Sequence, residues 1–289
     1  MKITTYTLNS FATTPDGGNP AGVVLGAEGL TEEQMKGIAK AIGFSETAFV
    51  MLSDSADFKV RFFTPNEEVD LCGHATAATF YTLAVKELIT PGKYTQETKA
   101  GVLNVEVRED LTVMMEQKTP IFSEIIEKTE IADSLNIAAA GITDDLPAQM
   151  VSTGLPDIIV PVKNIGILNA IKPDFNKISE ISSQYNAVGY HVFTLETLYA
   201  STAHCRNFAP LYGIPEESAT GTSSGALACY LFRYGKINAA QAGKIIFEQG
   251  YSMNRPSEIQ AALITQQDAI INVRVGGKVL NLKERIVSC

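Results

Sequence analysis

The distribution of apolar and polar residues along the chain predicts two buried helices surrounded by short β-strands. Residues 74–87 and 222–234 are runs of small and apolar residues of helical length, and Gly235 follows the second run. A helix that is apolar nearly all round is a buried helix. Runs typical of strands lie at residues 47–52, 59–63, 102–107, 158–162 and 271–275. We therefore predict an α+β fold of two similar domains, each a β-barrel-like sheet wrapped around a central buried helix.

A third helix is predicted from residue 31 to residue 42 by its end signals. Thr31 and Gln34 have the spacing of a capping box, and Gly43 follows the last turn. The chain then enters a segment that opens with Glu46 and is apolar on both faces apart from Thr47. Strands of this kind are buried. We therefore expect the Glu46 carboxylate to point into the protein or into a pocket.

Two segments of the chain resemble each other, which predicts an internal duplication. Residues 61–65 read RFFTP and residues 206–210 read RNFAP. Each is followed by an acidic turn, a glycine (Gly73 or Gly221) and one of the two buried helices. The repeat predicts an N-terminal half at residues 1–118 and a C-terminal half at 119–289. It leaves open whether a last strand near 279–289 returns to the first half.

Composition and charge narrow the class of partner. The chain has 23 Lys and Arg residues against 32 Asp and Glu residues, for a net charge of -9, which argues against nucleic acid and anionic membranes as partners. The N-terminus lacks the apolar core of a signal peptide, and four scattered cysteines suggest reduced thiols, so a cytoplasmic protein is expected. No histidine lies at metal-ligand spacing from another histidine or cysteine with a carboxylate beside it, which disfavours a metal site.

Two residues are candidates for acid–base chemistry. Burial of Glu46 would raise its pKa toward neutrality, which suits a group that takes and returns a proton. His74 begins the first buried helix, where the positive helix end would lower the pKa of its imidazole and keep it neutral. Each residue also has a structural interpretation: Glu46 could face water or cap a backbone group, and His74 could bond a backbone carbonyl.

The starts of the two buried helices are candidate anion sites. Their first-turn N–H groups lack intrahelical partners, so Gly73 and Gly221, with Thr222 and Ser223, could hold a carboxylate. Ordinary helix initiation explains the same residues.

Cys72 suggests a competing hypothesis, because a thiol at a helix start is acidified and could abstract a proton. A two-thiol racemase would need a second cysteine in the other half, where the repeat has Thr220. Glu216 and Glu217, just before the second helix, are predicted to be a solvated pair.

Five short motifs, in this order, resemble the PhzF-like phenazine biosynthesis family. They are GNPAGVV at 18–24, SETAFV at 45–50, RFFTP at 61–65, GHAT at 73–76 and ATGT at 219–222. The resemblance implies a diaminopimelate-epimerase-like fold with the active site between its two domains. It also implies a homodimer and isomerisation of a small anionic metabolite without a cofactor.

The same resemblance implies roles for individual residues. The residue matching Glu46 moves a proton between carbons of a dihydro-hydroxyanthranilic acid, the residue matching His74 assists, and N–H groups at both helix starts hold the carboxylate. Asn19 and Ser45, inside the matched motifs, are expected at the substrate. One position departs from the family, because Glu217 stands where a functional Asp is expected.

These observations give one leading hypothesis and two alternatives. The first is an isomerase that uses Glu46 as general acid/base, assisted by His74 and Glu217, on a small cyclic or unsaturated carboxylic acid. The second is a binding protein that keeps the pocket without turnover, for which the Glu217 substitution is the support. The third is an epimerase that uses Cys72.

Overall fold

A computed structural model describes residues 2–267 and 269–288 of the 289-residue chain. The chain divides into two units: the first comprises the residues up to Glu116 and those from Gly276 onwards, and the second is Gln117–Val275. The division expected from the sequence was 1–118 and 119–289. The last strand, Val279–Ser288, lies in the first unit, where it pairs with the first strand, Lys2–Ser10.

The helices and strands of the described residues are numbered in chain order. The α-helices are α1 (Glu32–Ile42), α2 (Gly73–Val85), α3 (Lys128–Ser134), α4 (Ile165–Ala170), α5 (Phe175–Gln184) and α6 (Gly221–Arg233). The strands are β1 (Lys2–Ser10), β2 (Asn19–Leu25), β3 (Thr47–Met51), β4 (Phe58–Phe63), β5 (Glu68–Val69), β6 (Gly92–Thr98), β7 (Gly101–Val107), β8 (Val113–Gln117), β9 (Ile121–Ile126), β10 (Ala148–Ser152), β11 (Pro156–Pro161), β12 (Tyr190–Thr194), β13 (Ala203–Ala209), β14 (Ile214–Glu217), β15 (Ile245–Gln249), β16 (Ser257–Gln266), β17 (Ala269–Gly277) and β18 (Val279–Ser288).

The two units have the same strand pairing. In the first unit β1–β2 is antiparallel, β2–β3 parallel, β3–β4 antiparallel, β4–β6 parallel and β6–β7 antiparallel. In the second, β10–β11, β11–β12, β12–β13, β13–β15 and β15–β16 follow the same sequence of directions. Parallel pairs need a crossover, and both units place helices there: α2 and α6 join the second parallel pairs. The predicted α+β class with two similar domains is confirmed.

The repeat extends to side chains. Arg61 donates two hydrogen bonds of 2.8 Å to the carboxylate of Glu68, and Arg206 donates two of 2.9 Å to Glu216. Each guanidinium also lies over the phenylalanine two positions further along its strand, at 5.0 and 4.9 Å. Both arginines come from the repeated segments found in the sequence, so a duplicated motif there carries a duplicated ion pair.

The central helices are buried, as their composition predicts. In the first unit α2 packs against β1, β2 and β3, and in the second α6 packs against β10, β11 and β16. The threonines of α2 are satisfied within the helix, because the hydroxyls of Thr76, Thr79 and Thr82 each donate to the carbonyl four residues earlier. Threonines can therefore be buried on this helix, because their hydroxyls donate within it.

The surface helix α1 follows its sequence signals. Thr31 accepts from the Gln34 N–H, the Gln34 side chain accepts from the Thr31 N–H, and Gly43 ends the helix with a φ of 78°. The capping box is thus confirmed. The helices α3, α4 and α5 were missed in the sequence. No helix of the described residues is long and apolar enough to cross a membrane.

Candidate active site

Glu46 lies directly before β3, at the edge of the first unit's core. Residues 47–50 that follow it are buried on both faces, as their pattern predicts, whereas Leu52 lies beyond the strand and is exposed. The Glu46 carbonyl accepts a hydrogen bond from the Gly22 N–H at 3.1 Å, which ties the residue to β2. Its side chain is 14% exposed, so the carboxylate is mostly buried with an opening to solvent.

The imidazole of His74 lies against this carboxylate. Its Nε2 is 3.2 Å from Glu46 Oε2, and no residue that the structure describes gives that oxygen a hydrogen bond of good geometry. Burial acts to raise the pKa of Glu46, but the His74 contact and charge, with contacts to Ser45 and Cys72, outweigh burial and lower it. The pKa of Glu46 was predicted to rise. That prediction was wrong because the sequence did not reveal a cationic partner.

His74 shifts in the direction opposite to the one predicted. Burial acts to lower the pKa of its imidazole, but the Cys72 and Glu46 side chains outweigh burial and raise the pKa well above its ordinary value. The prediction of a neutral imidazole, from the positive end of α2, was wrong because the Cys72 and Glu46 side chains, both at contact distance, outweigh a partial helix charge. Glu46 and His74 therefore form a carboxylate–imidazolium pair.

Two more predicted residues of the first unit surround this pair. The side-chain amide of Asn19 lies 3.3 Å from Nδ1 of His74, which fixes the ring so that Nε2 faces Glu46. An amide can turn its oxygen toward the ring, and in that orientation it accepts from the Nδ1–H of an imidazolium. Ser45 is exposed and contacts the Glu46 carboxylate. The structure thus brings Asn19, Ser45, Glu46 and His74 together, with Gly73 at the start of the same helix.

Cys72 completes the cluster. Its Sγ lies 3.4 Å from Nδ1 and 3.8 Å from Nε2 of His74. Burial raises the pKa of the Cys72 thiol, and this effect exceeds the opposite effect of His74. The helix start therefore does not produce the acidified thiol that an epimerase using Cys72 needs. Cys205 and Cys229 are also buried and free, and Cys289 lies outside the described residues.

The same three side chains are a candidate metal-binding set. Donor atoms of Glu46, Cys72 and His74 lie within 4.8 Å of one another. The spacing of the histidines in the sequence disfavoured a metal site. That prediction did not consider this group, because Glu46 is distant in sequence from Cys72 and His74. The donors suit a soft divalent ion, but binding one would require the Cys72 proton to leave, which burial opposes.

The second unit carries the other predicted residues at the start of α6. Glu217 is half-buried, and its Oε2 accepts a hydrogen bond of 2.7 Å from the Thr220 hydroxyl. Glu216 is bound by Arg206. The prediction that Glu216 and Glu217 form a solvated pair was wrong, because the sequence did not show their partners.

The starts of α2 and α6 differ from those of the capped helices. Thr31, Asn164 and Asp174 accept hydrogen bonds from first-turn N–H groups of α1, α4 and α5. Neither α2 nor α6 has a side-chain cap or an acidic residue in its first turn. First-turn N–H groups at Gly73 and Gly221 are thus not used by the helix or by a cap, which is the condition that an anion site requires.

Ser223 and Thr222 have distinct surroundings in the first turn of α6. The Ser223 hydroxyl is fully buried, donates to Oδ2 of Asp157 at 2.6 Å and accepts from the Asn207 amide at 3.2 Å. The hydroxyl is thus occupied, so a contribution of Ser223 to an anion site would come from its backbone N–H. Thr222 is half-buried, and its carbonyl accepts from the Thr153 hydroxyl. Asp157 was missed in the sequence, although an acid inside the apolar run of β11 is a visible signal.

Comparisons with known proteins agree with the motifs. The family model described as phenazine biosynthesis-like protein (PhzC-PhzF) matches residues 8–285. An uncharacterized isomerase of Bacillus subtilis is 35% identical over 285 residues, which is 96% of this chain and 96% of the relative. The crystal structure of a PhzF-family phenazine biosynthesis protein of Bacillus anthracis is 33% identical, with a TM-score of 0.92 and 100% of both chains covered.

A more distant relative has a named reaction. The trans-2,3-dihydro-3-hydroxyanthranilate isomerase of Pseudomonas chlororaphis is 28% identical over 278 residues, which is 93% of this chain and 94% of the relative. The matches run through both repeated halves of the chain. This chain belongs to the PhzC-PhzF family of phenazine biosynthesis-like proteins.

Proposed function

We propose that the protein is an isomerase that moves a proton between two carbons of a small, cyclic or unsaturated carboxylic acid. Glu46 is the general acid/base, and the reaction uses no cofactor. The observation that carries this proposal is the contact of Glu46 with His74. The Glu46 carboxylate is mostly buried, and its Oε2 lacks a good hydrogen bond from any described residue. Relatives of this chain are named isomerases.

The pair supports a proton transfer that begins with abstraction. Because the pKa of Glu46 is lowered, the group is ionised in the resting protein and is ready to accept a proton. The C–H bond of the substrate breaks, its electrons shift the double bond, and the proton passes to Glu46. The protonated Glu46 exchanges its proton with solvent, to which its side chain is 14% exposed, and delivers a proton to a second carbon, so no atom is gained or lost overall. His74, held by Asn19, positions the carboxylate and offsets its charge.

The helix starts supply the binding of the acid group. An overall charge of -9 opposes an anionic substrate, so local donors must hold it. The uncapped first turns at Gly73 in the first unit and at Gly221, Thr222 and Ser223 in the second offer backbone N–H groups for this purpose. We assign to Glu217 the role of orienting an amine or hydroxyl of the substrate. The homodimer implied by the family resemblance stays a prediction, and sedimentation analysis would test it.

The deciding experiment is deuterium uptake from heavy water. Wild type is incubated in heavy water with trans-2,3-dihydro-3-hydroxyanthranilate, the compound in the name of the Pseudomonas relative. A panel of small unsaturated acids is tested in the same way. Deuterium in the products is measured by mass spectrometry. We expect Glu46→Gln to keep the fold and to slow uptake by about 100-fold or more, in line with the loss of a general base. The matched control is Glu33→Gln, which removes an exposed carboxylate of the same unit and should exchange like wild type.

Two outcomes would contradict the proposal. Undiminished exchange in Glu46→Gln would remove Glu46 as the base. A panel acid that raises the melting temperature of wild type while no acid exchanges deuterium would support the alternative of a binding protein.

A further inference from the structure

A second buried acid lies in the core of the other unit. Asp157, in β11, is 2% exposed, and the polar groups around it form one hydrogen-bonded chain. The Ser223 hydroxyl donates to Asp157, the Asn207 amide donates to Ser223, and the same amide nitrogen lies 3.2 Å from Nδ1 of His191. The chain connects β11, α6, β13 and β12 at the first turn of α6.

The protonation states along this chain follow from its donors. An amide nitrogen only donates, so Nδ1 of His191 must accept, and the imidazole carries its proton on Nε2. Nε2 is buried and has no hydrogen-bond partner among the described residues. Burial lowers the pKa of His191 to about 3, so the ring is neutral and supplies no positive charge to Asp157.

Within the described part of the chain, no cation faces Asp157 from the elements that pack against it. Ser223 of α6, Asn207 of β13 and His191 of β12 are neutral, and the residue paired with Asp157 on β10 is Val151. The charged group that acts on it is Glu217 of β14, a carboxylate. Burial raises the pKa of Asp157 to about 7, with the Ser223 hydrogen bond opposing and the Glu217 charge adding to the shift.

We propose that Asp157 is a positioning residue that acts through Ser223: its protonated, neutral form fixes the first turn of α6 without placing a negative charge behind it. The inference rests on the proposed function, in which the N–H groups of this turn take the substrate's carboxylate. A charged Asp157 would neutralise the positive end of α6 from inside the protein and would repel the incoming anion. The neutral acid keeps both the hydrogen bond and the positive potential.

The charge state is tested by infrared difference spectroscopy on the full-length protein. Subtracting the spectrum of Asp157→Asn from that of wild type isolates the carbonyl stretch of a protonated Asp157. We expect this band at about pH 6 and its loss by about pH 9. Ser223→Ala removes the hydrogen bond that favours the charged form of Asp157. The Asp157 band of this variant should therefore persist to higher pH than that of wild type. Absence of the band at about pH 6 would overturn the proposal.

The effect on binding is tested by calorimetry with anthranilate as the probe. Between about pH 6 and about pH 8 we expect the affinity of wild type to fall about tenfold more than that of Asp157→Asn, whose side chain is always neutral. Asp145→Asn, an exposed change in the same unit, is the control and should follow wild type. Parallel pH profiles for wild type and Asp157→Asn would overturn the positioning role. Failure of anthranilate to bind wild type at any pH would instead contradict the proposed carboxylate site, and the infrared band would still decide the charge of Asp157.

Discussion

Nε2 of His74 lies 3.2 Å from Oε2 of Glu46, and the two side chains are 5% and 14% exposed. The pKa of Glu46 is lowered, so its stabilising contribution is present above the unfolded value of about 4.3 and is lost as the pH falls through the folded value. The pKa of His74 is raised, so its contribution is present below about 6.5 and is lost as the pH rises through the folded value. Both contributions are therefore present together between about pH 4.5 and about pH 6.5.

A double-mutant cycle with Glu46→Gln and His74→Gln should show that the two residues stabilise the protein together in this pH range, from about 4.5 to about 6.5. We expect a coupling free energy of about 2 kcal/mol near pH 5.5, decreasing as the pH rises toward about 9, measured by urea unfolding. The exposed pair Lys36 and Glu32 serves as a control, because its coupling should be smaller and should not change between these pH values. A Glu46–His74 coupling that grows with pH would contradict the charge states assigned to the pair.

Cys72 can be removed without stopping the proposed reaction. Burial raises the pKa of its thiol, so the thiolate that an epimerase needs is scarce at neutral pH. We expect Cys72→Ala to keep deuterium uptake close to wild type and to lose about 1 kcal/mol of unfolding free energy from the small cavity. Cys229→Ala is the matched control for loss of a buried thiol. A loss of uptake as large as that in Glu46→Gln would restore the hypothesis of an epimerase using Cys72.

The sequence predicted the fold well where periodicity and end signals were strong. The capping box of α1, the apolar composition of α2 and α6, and the repeated segments at Arg61 and Arg206 all describe local features, and the structure bears out each of them. Helices α3, α4 and α5 are short and sit in the crossover from β11 to β12 and in the segment before β10. With 7 and 6 residues, α3 and α4 have too few turns to show a clear periodicity. In contrast, α5 is amphipathic and is capped by Asp174, so its signals were visible in the sequence and were overlooked.

The candidate site was predicted by residue but not by electrostatics. Glu46 and His74 were each assigned a pKa shift from their own element, burial for one and the helix end for the other. The structure reverses both directions because Glu46 and His74, distant in sequence, meet, and because Cys72 also contacts the imidazole. Asp157 was visible as an acid in an apolar run, but its role could not be predicted, because it depends on Ser223, which follows it by more than sixty residues. Whether the predicted site residues act on substrate is decided by the experiments above.

The duplicated ion pairs should differ in their contribution to stability. Arg206 is 9% exposed and also donates to the carbonyls of Leu168 and Ile171, whereas Arg61 is 26% exposed. Replacing Arg206 by Met leaves a mostly buried Glu216 and two carbonyls without their donor. We expect Arg206→Met to cost about 4 kcal/mol of unfolding free energy, and Arg61→Met to cost clearly less. Equal losses in chemical denaturation would show that the carbonyl contacts contribute little.

Asp157 and His191 should give opposite slopes of stability against pH. The folded pKa of Asp157, about 7, lies above its unfolded value, so its contribution to stability is present below about pH 3.9 and roughly 4 kcal/mol is lost as the pH rises to about 7. The folded pKa of His191, about 3, lies below its unfolded value. Its contribution is therefore present above about pH 6.5, and roughly 5 kcal/mol is lost as the pH falls to about 3. In wild type the two slopes largely cancel.

Single substitutions should expose each slope. Relative to wild type, the unfolding free energy of Asp157→Asn should rise as the pH increases from about 4 to about 7, because the contribution of His191 remains alone. That of His191→Gln should fall over the same range, because Asp157 must ionise in the core. Urea unfolding at several pH values measures both, with Asp145→Asn as an exposed control that should parallel wild type. If all four proteins gave parallel curves, Asp157 and His191 would titrate in the folded protein as they do in the unfolded chain, and the neutral cluster behind α6 would be ruled out.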